Sequence, residues 1–341
     1  MARNQTPRAA ILGCAATSLS EAERRFFAEA DPLGFILFAR NCESPPQVRA
    51  LVAALRETVG RADAPVLIDQ EGGRVARLGP PHWRKGPPAA RFGALAARDE
   101  AASQRATWLH ARLLADELAA LGITVDCAPV LDLALPETHD VIGDRAFAGE
   151  PSRVAALGRA FCDGLLAGGV LPVVKHIPGH GRATADSHHE LPVVEAGADV
   201  LRATDWVPFQ RLADAPWAMT AHVTYAAIDA AAPATTSRRV IAEVIRGEIG
   251  FAGVLLSDDL GMQALAGDFA ARAQAVLAAG CDVALHCSGD MAEMTAVIAA
   301  TPSLSEAARE RIARAEAQRG RPGDFDRAAA LAELDALLAA A

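Results

Sequence analysis

Three stretches of this chain gather residue types that can transfer protons, attack an electrophilic carbon or hold a polyhydroxylated ligand. The first, "LIDQEGGRVARL", sets Asp69 and Glu71 just beyond an apolar run, then two glycines, then Arg74 and Arg77. A carboxylate and an arginine meeting over a site mouth suit a sugar, whose hydroxyls take both acceptors and charged donors. A structural ion pair in a turn explains the same residues equally well. The second stretch, "VVKHIPGHGRATADSHHELP", holds four of the nine histidines. Inside it Asp186 precedes His188 by two residues, close enough for the carboxylate to accept from one ring nitrogen. That contact would fix the tautomer and leave the other nitrogen to give and take a proton near neutral pH. Local Asx-type hydrogen bonding of a loop is the competing reading. The third stretch, "GVLLSDDLGM", ends an apolar run in two aspartates. Adjacent carboxylates repel unless one has a special role. Asp258 is placed to attack an anomeric carbon, and Asp259 to cap the following turn.

A metal is the obvious alternative for so many histidines. His176 and His180 are four apart, as on one helix face, but Pro178 and Gly179 break any helix between them. His188 and His189 diverge in most backbones and no cysteine lies near, so no metal and no cofactor are expected. Lys175 carries a different signal. It and Lys85 are the only lysines against 31 arginines. A lysine at a buried strand end is costly without a polar ligand or carboxylate, so a ligand contact is expected.

The elements that would carry these residues repeat along the chain. Candidate strands run over Ala9–Cys14, Gly34–Phe38, Pro65–Asp69, Thr124–Ala128, Leu171–Lys175, Ala218–Ala221, Gly253–Ser257 and Asp282–Leu285. Amphipathic stretches separate them: Pro46–Val59, Glu100–Leu121, Arg153–Ala167, Arg239–Ile249 and Ala270–Ala279. Gly122, Gly168, Gly250 and Gly280 stand where left-handed caps end helices. Strands this apolar are buried on both faces, which means parallel pairing with helices outside. Eight such units make a single-domain (β/α)8 TIM-type barrel the expected α/β fold. A doubly wound sheet would more often place a glycine-rich phosphate loop after its first strand, where this chain reads "GCAATSLS". The whole of 1–341 is expected to form one catalytic domain, with extra C-terminal helices from about 303 to 341 packed outside. A barrel puts its chemistry at strand exits, where Asp69, Asp132, Lys175, His176, His222, Asp258 and His286 all fall.

Composition narrows the class further. A net charge of −9 with no basic run argues against nucleic-acid and membrane-surface partners. Six scattered cysteines without a CxxC pair suit reduced thiols and a cytoplasmic location. Ile11–Leu12–Gly13–Cys14 looks like a lipoprotein cleavage box, but the apolar run is short and lacks a basic lead, so a buried first strand is expected. A monomer is the default.

Taken together and in order, "DQEGGRVAR", "VIGDRAF", "KHIPGHGRATADSHHELP" and "SDDLGM" resemble glycoside hydrolase family 3. They resemble in particular its single-domain β-N-acetylglucosaminidase branch, associated with bacterial peptidoglycan recycling. The resemblance runs from "GFILFARN" to about residue 290, and Ile177 is its one visible departure, standing where phenylalanine is usual. It implies Asp258 as nucleophile, His188 as general acid/base and Asp186 as the partner that orients His188. It also implies that Asp69, Arg77, Arg145, Lys175 and His176 hold an N-acetylglucosamine ring. The implied reaction is two-step and retaining, through a glycosyl-aspartate, with N-acetylglucosaminyl-anhydro-N-acetylmuramic acid as the suggested substrate. His188 is expected on a mobile loop. Asp99–Glu100 and Asp116–Glu117 offer the acidic pair of a substrate-assisted route, but both fall in a helical stretch. A β-glucosidase or xylosidase of the family, a phosphorolytic variant, a zinc-dependent hydrolase and a non-catalytic sugar sensor are the remaining rivals.

Overall fold

A computed structural model of the protein describes residues 6–187 and 189–339. Eight parallel strands close into a barrel: β1 (Arg8–Leu12), β2 (Pro32–Leu37), β3 (Val66–Ile68), β4 (Val125–Asp126), β5 (Leu171–Ile177), β6 (Trp217–Thr220), β7 (Val254–Asp259) and β8 (Val283–His286). Each strand pairs with its sequence neighbours, and β1 pairs with β8 through Ala10–Ala284 and Ile11–Leu285. Every expected strand is present, and the doubly wound alternative is excluded by closure. The β4 strand is short, but Ala128 and Pro129 beyond it still accept from the Val173 and Lys175 amides of β5, both at 3.1 Å.

Alternation along the strands divides the apolar residues into two clusters. Ile11, Leu67, Val125, Val173, Trp217, Leu256 and Leu285 fill the barrel interior. Leu12, Phe35, Ile68, Val174, Ala218 and Leu255 pack outward on the helices. Helices Pro45–Val59, Glu100–Ala119, Pro151–Ala167 and Phe269–Ala279 lie where amphipathic periodicity expects them. The stretch between β6 and β7 differs, winding as a π-helix over Val240–Glu248. Left-handed glycines follow three of the four expected helices. Gly168 departs: its φ is −95°, and Gly169 takes the positive angle, +75°, one residue later.

The two C-terminal helices have different jobs. Glu306–Gln318 crosses the N-terminal end of the barrel, packing Ala308 and Ala315 on interior residues. Arg311 and Arg246 both pair there with Asp282, at 2.7 and 2.9 Å. Arg327–Ala339 instead packs outside on Glu100–Ala119, through Arg327 with Asp116 and Glu117 and Glu333 with Arg105. The barrel bottom is thereby plugged, and the strand exits are left as its open end. The six thiols are unpaired, and Cys14 is buried just beyond the first strand.

Candidate active site

The open end holds a cavity of about 280 Å³. Its walls come from the exits of β3, β5 and β7 and from the loop after β4. The exit of β3 folds back on itself: Gln70–Gly72 pairs antiparallel with Val75–Ala76 across Gly72 and Gly73, whose φ values of +97° and +60° suit glycine. This hairpin brings Asp69, Glu71, Arg74 and Arg77 to the cavity.

Four of the expected sugar-holding residues then join Glu71 in one chain of ion pairs. Arg77 Nη2 donates to Asp69 Oδ2 at 3.0 Å, and Lys175 Nζ donates to Asp69 Oδ1 at 2.9 Å. Lys175 Nζ also lies 2.7 Å from Glu71 Oε1. Arg145 grips Glu71 with two bonds, Nε at 2.9 Å and Nη2 at 2.8 Å. Burial alone would raise both carboxyls. The cations outweigh it, holding Asp69 well below its usual range and bringing Glu71 from 4.5 to about 2. Burial likewise opposes the charge of Lys175, but Asp69 and Glu71 together raise its pKa. Lys175 spends two of its three N–H donors on these carboxylates, which leaves one for a ligand hydroxyl. Arg145 also donates Nη1 to the Val141 carbonyl, so this side chain is braced mostly by protein. Arg74 serves the same loop, donating to Asp144 and to the carbonyls of Asp140, Val141 and Ile142.

A second cluster lies at the end of β5. A register shift between Lys175 and Ile177 accompanies the turning of both Lys175 and His176 to the cavity, where a regular strand would alternate them. Asp132 sits beneath. Its Oδ2 accepts from His176 Nδ1 at 2.6 Å, and its Oδ1 accepts the backbone N–H groups of His176 and His180 at 3.2 and 2.7 Å. The Asp132 carboxylate thus fixes an N–H on His176 Nδ1 and the orientation of the ring, leaving Nε2 outside that contact. Burial again pushes the Asp132 carboxyl up, yet His176 and His180 bring it down to about 2. His180, lowered to about 4 chiefly by burial, is neutral at physiological pH, with Nε2 3.3 Å from Ser187 Oγ.

Ser187 is buried at the cavity wall. Its neighbour Asp186 is half-buried, with its carboxylate 3.9 Å from the exposed His189 ring. His188, the expected acid/base, lies outside the described residues.

At the end of β7 the two aspartates separate. Asp258 faces the cavity, and its Oδ1 accepts the Asp259 amide at 2.8 Å. Burial would raise this carboxyl. His222, His176, that amide and Lys175 together hold it below its usual range, so it is ionised at neutral pH. Asp259 turns its Oδ1 to the amides of Gly261 and Cys287, at 3.0 and 3.1 Å. His222 is buried and donates Nε2–H to the Asp259 carbonyl at 3.0 Å. His286 is buried too, meeting Ser288 and Glu293 away from the cavity.

The acidic pairs of the substrate-assisted route have other work. Asp99 caps its helix by accepting from the Ala102 amide, while Asp116 and Glu117 bind Arg327. Among the described residues no three His, Cys, Asp or Glu side chains converge as a metal ion requires. Sequence reasoning placed Glu71 and Asp132 at strand exits but assigned them no task. It weighed His180 only as a metal ligand and gave Ser187 no separate role, because only the folded loop brings them to the wall.

The chain matches the model of the glycosyl hydrolase family 3 N-terminal domain over residues 11–319. It is 41% identical to a β-hexosaminidase of Pseudomonas aeruginosa over 297 residues, covering 86% of each chain. It is 42% identical over 282 residues to the β-hexosaminidase of Alkalilimnicola ehrlichii, covering 82% of this chain and 80% of that one. Among solved structures, NagZ from Neisseria gonorrhoeae in complex with zinc ion superposes with a TM-score of 0.86 at 30% identity, covering 98% of both chains. A family 3 β-N-acetylglucosaminidase from Paenibacillus sp. str. FPU-7 gives 0.83 at 30% identity, covering 96% of this chain and 66% of that one. With the barrel, the cavity at its strand exits and these likenesses in agreement, the chain belongs to glycosyl hydrolase family 3.

Proposed function

We propose that this enzyme is a retaining exo-β-N-acetylglucosaminidase. The observation that carries the reading is the ionised Asp258 carboxylate facing a cavity whose other wall is the Asp69–Lys175–Glu71–Arg145 chain. A sugar ring fits between the two. Asp69, Arg77, Lys175 and His176 offer its hydroxyls acceptors and charged donors, while Arg145 braces Glu71 beside them.

In the first step Asp258 forms a bond to the anomeric carbon as the glycosidic C–O bond breaks. The leaving oxygen takes its proton from His188. In the second step water attacks the same carbon, His188 takes a proton from that water, and Asp258 leaves. Two inversions retain the configuration. Retaining enzymes commonly set a second carboxyl about 5–5.5 Å from the nucleophile; here a histidine is assigned its place. The roles of His188 and Asp186 rest on the sequence resemblance, supported by the arrival of Ser187 at the cavity wall. The relatives named β-hexosaminidase and β-N-acetylglucosaminidase support the N-acetylglucosamine specificity. The same resemblance suggests a terminal N-acetylglucosamine on anhydro-muropeptides in peptidoglycan recycling; the proposed setting is a monomer in the cytoplasm. Six unpaired thiols support that location. No helix of the described residues is long and apolar enough to cross a membrane.

The test is hydrolysis of p-nitrophenyl N-acetyl-β-glucosaminide by wild type and Asp258→Ala, with and without chelator and phosphate, following the product anomer by NMR. The β-anomer as first product, no effect of chelator, and loss of turnover in the variant are expected. Full activity of Asp258→Ala, or an α-anomer first, would overturn the reading. A sugar phosphate formed in the phosphate arm would replace water as acceptor.

A further inference from the structure

Gln70 stands between two cavity-lining carboxylates, and it is the residue among the three whose side chain turns the other way. Alternation on an extended segment sends Asp69 and Glu71 to one face and Gln70 to the opposite one. Its side chain is buried and engages a specific set of partners. Gln70 Oε1 accepts the backbone N–H of Arg77 at 2.8 Å and that of Leu78 at 3.0 Å. Its Nε2 donates to the Leu78 carbonyl at 2.9 Å. Its own backbone N–H donates to Asp126 Oδ1 at 2.9 Å, tying it to the end of β4. Asp126 is fully buried, so this bond is shielded from water.

These bonds lie where the hairpin loses its backbone ladder. The antiparallel pairing ends at Gln70–Ala76. Beyond it residues 77 and 78 have no facing strand, and a side chain supplies the acceptors a strand would have given. Arg77 is also the residue whose guanidinium holds Asp69, 3.0 Å from its Oδ2. One amide side chain thus sets the distance between the two limbs carrying that pair.

We infer that Gln70 is a positioning residue for sugar recognition, clamping residues 77 and 78 so that Arg77 and Asp69 meet the ring in register. The inference rests on the reading above that Asp69 and Arg77 hold the sugar. Contacts of this kind act on the bound substrate before and during reaction alike, so their loss raises KM more than it lowers kcat.

Gln70→Met and Gln70→Glu separate the clamp from mere filling of space. Methionine keeps the volume and loses all three side-chain bonds. Glutamate reproduces them only while protonated: one oxygen accepts both amides and the hydroxyl donates to the Leu78 carbonyl. Ionised, it has no donor and faces that carbonyl. Both variants and wild type are assayed on p-nitrophenyl N-acetyl-β-glucosaminide from pH 5 to 8, with amide exchange followed at Arg77 and Leu78. For Gln70→Met the expected result is KM about tenfold higher at every pH, kcat within about threefold, and faster exchange at both amides. For Gln70→Glu, the ratio of its KM to that of wild type should start near one at acid pH and rise toward the methionine value. A flat ratio for glutamate, an unchanged KM for methionine, or a loss confined to kcat would overturn the clamp. If wild type itself shows no turnover, the functional reading falls and amide exchange decides the clamp: wild-type protection in Gln70→Met overturns it. If Gln70→Met does not fold, the pH series of Gln70→Glu decides.

Discussion

Two walls of the cavity carry aspartates at strand exits, and they are built on opposite plans. At the β3 exit Asp69 has a cation on each oxygen, and Glu71 beside it is gripped by Lys175 and a bidentate Arg145. At the β7 exit Asp258 has one hydrogen bond among the described residues, to a backbone amide. Its charge is maintained by His222, His176 and Lys175 acting at longer range. A carboxylate locked between cations has its geometry fixed and a lone pair left on each oxygen, which suits holding hydroxyls. A carboxylate kept ionised without being covered retains a free oxygen for attack. The same residue type thus becomes a clamp on one side and a nucleophile on the other, by the number of partners it is given.

The largest expected effect tests the open wall. Asp258→Asn keeps the shape and should lower kcat/KM by about ten-thousand-fold or more, because no charge remains to attack. A loss below a hundredfold in steady-state kinetics would break the contrast.

The saturated wall is tested by Lys175→Met, which leaves two buried carboxylates with their arginines alone. About 3 kcal/mol of stability should be lost in urea unfolding, together with most activity. An unchanged midpoint would mean that the ion chain is not structural.

Acid should act on this wall and on the β5 cluster beside it as well. Glu71 and Asp132 are held at about 2, below their ordinary 4.5 and 3.8. Groups with depressed values contribute stability that is complete above the ordinary value and is lost as pH falls through the folded one. Unfolding free energy should therefore fall between pH 4.5 and 2, and fall less steeply in Lys175→Met, where Glu71 has lost a cation. Equal slopes would count against the pairing.

Asp132→Asn sharpens the account of the middle wall. Without the acceptor that fixes Nδ1–H on His176, kcat/KM should drop about 10- to 100-fold, on the scale of losing a partner that orients a histidine. The smallest effect is expected one residue from the nucleophile. Asp259→Asn keeps an oxygen for the amides of Gly261 and Cys287, so activity should stay within about threefold of wild type. A loss equal to that of Asp258→Asn would erase the division between the two aspartates.

Much of the fold was legible because it depends on patterns that local sequence carries. Eight apolar runs alternating with amphipathic stretches specify parallel strands under helices, and each run became a barrel strand. The misses are local. Gly168 passes its left-handed angle to Gly169, since either glycine can take it and the packed helix end decides which. The segment Val240–Glu248 is apolar at helical spacing, which does not distinguish an α-helix from a π-helix. The site was legible in part. Asp69, Arg77, Arg145, Lys175, His176 and Asp258 were named from motifs, and all six line the cavity. His188 lies outside the described residues. Asp186 is described but is not part of the cavity wall.

The barrel, the polar residues at its strand exits and the family are all written in the linear chain, because periodicity and motif order are properties of residue sequence. Which charges meet is a property of the folded molecule. Glu71 joins Lys175 and Arg145 across separations of 104 and 74 residues; Asp132 reaches under His176; and Gln70 turns inward to hold Arg77. The first two depend on barrel closure bringing side chains from distant strand exits within about 3 Å of each other, and the third on how the hairpin after β3 folds back; the spacing of the residues encodes neither.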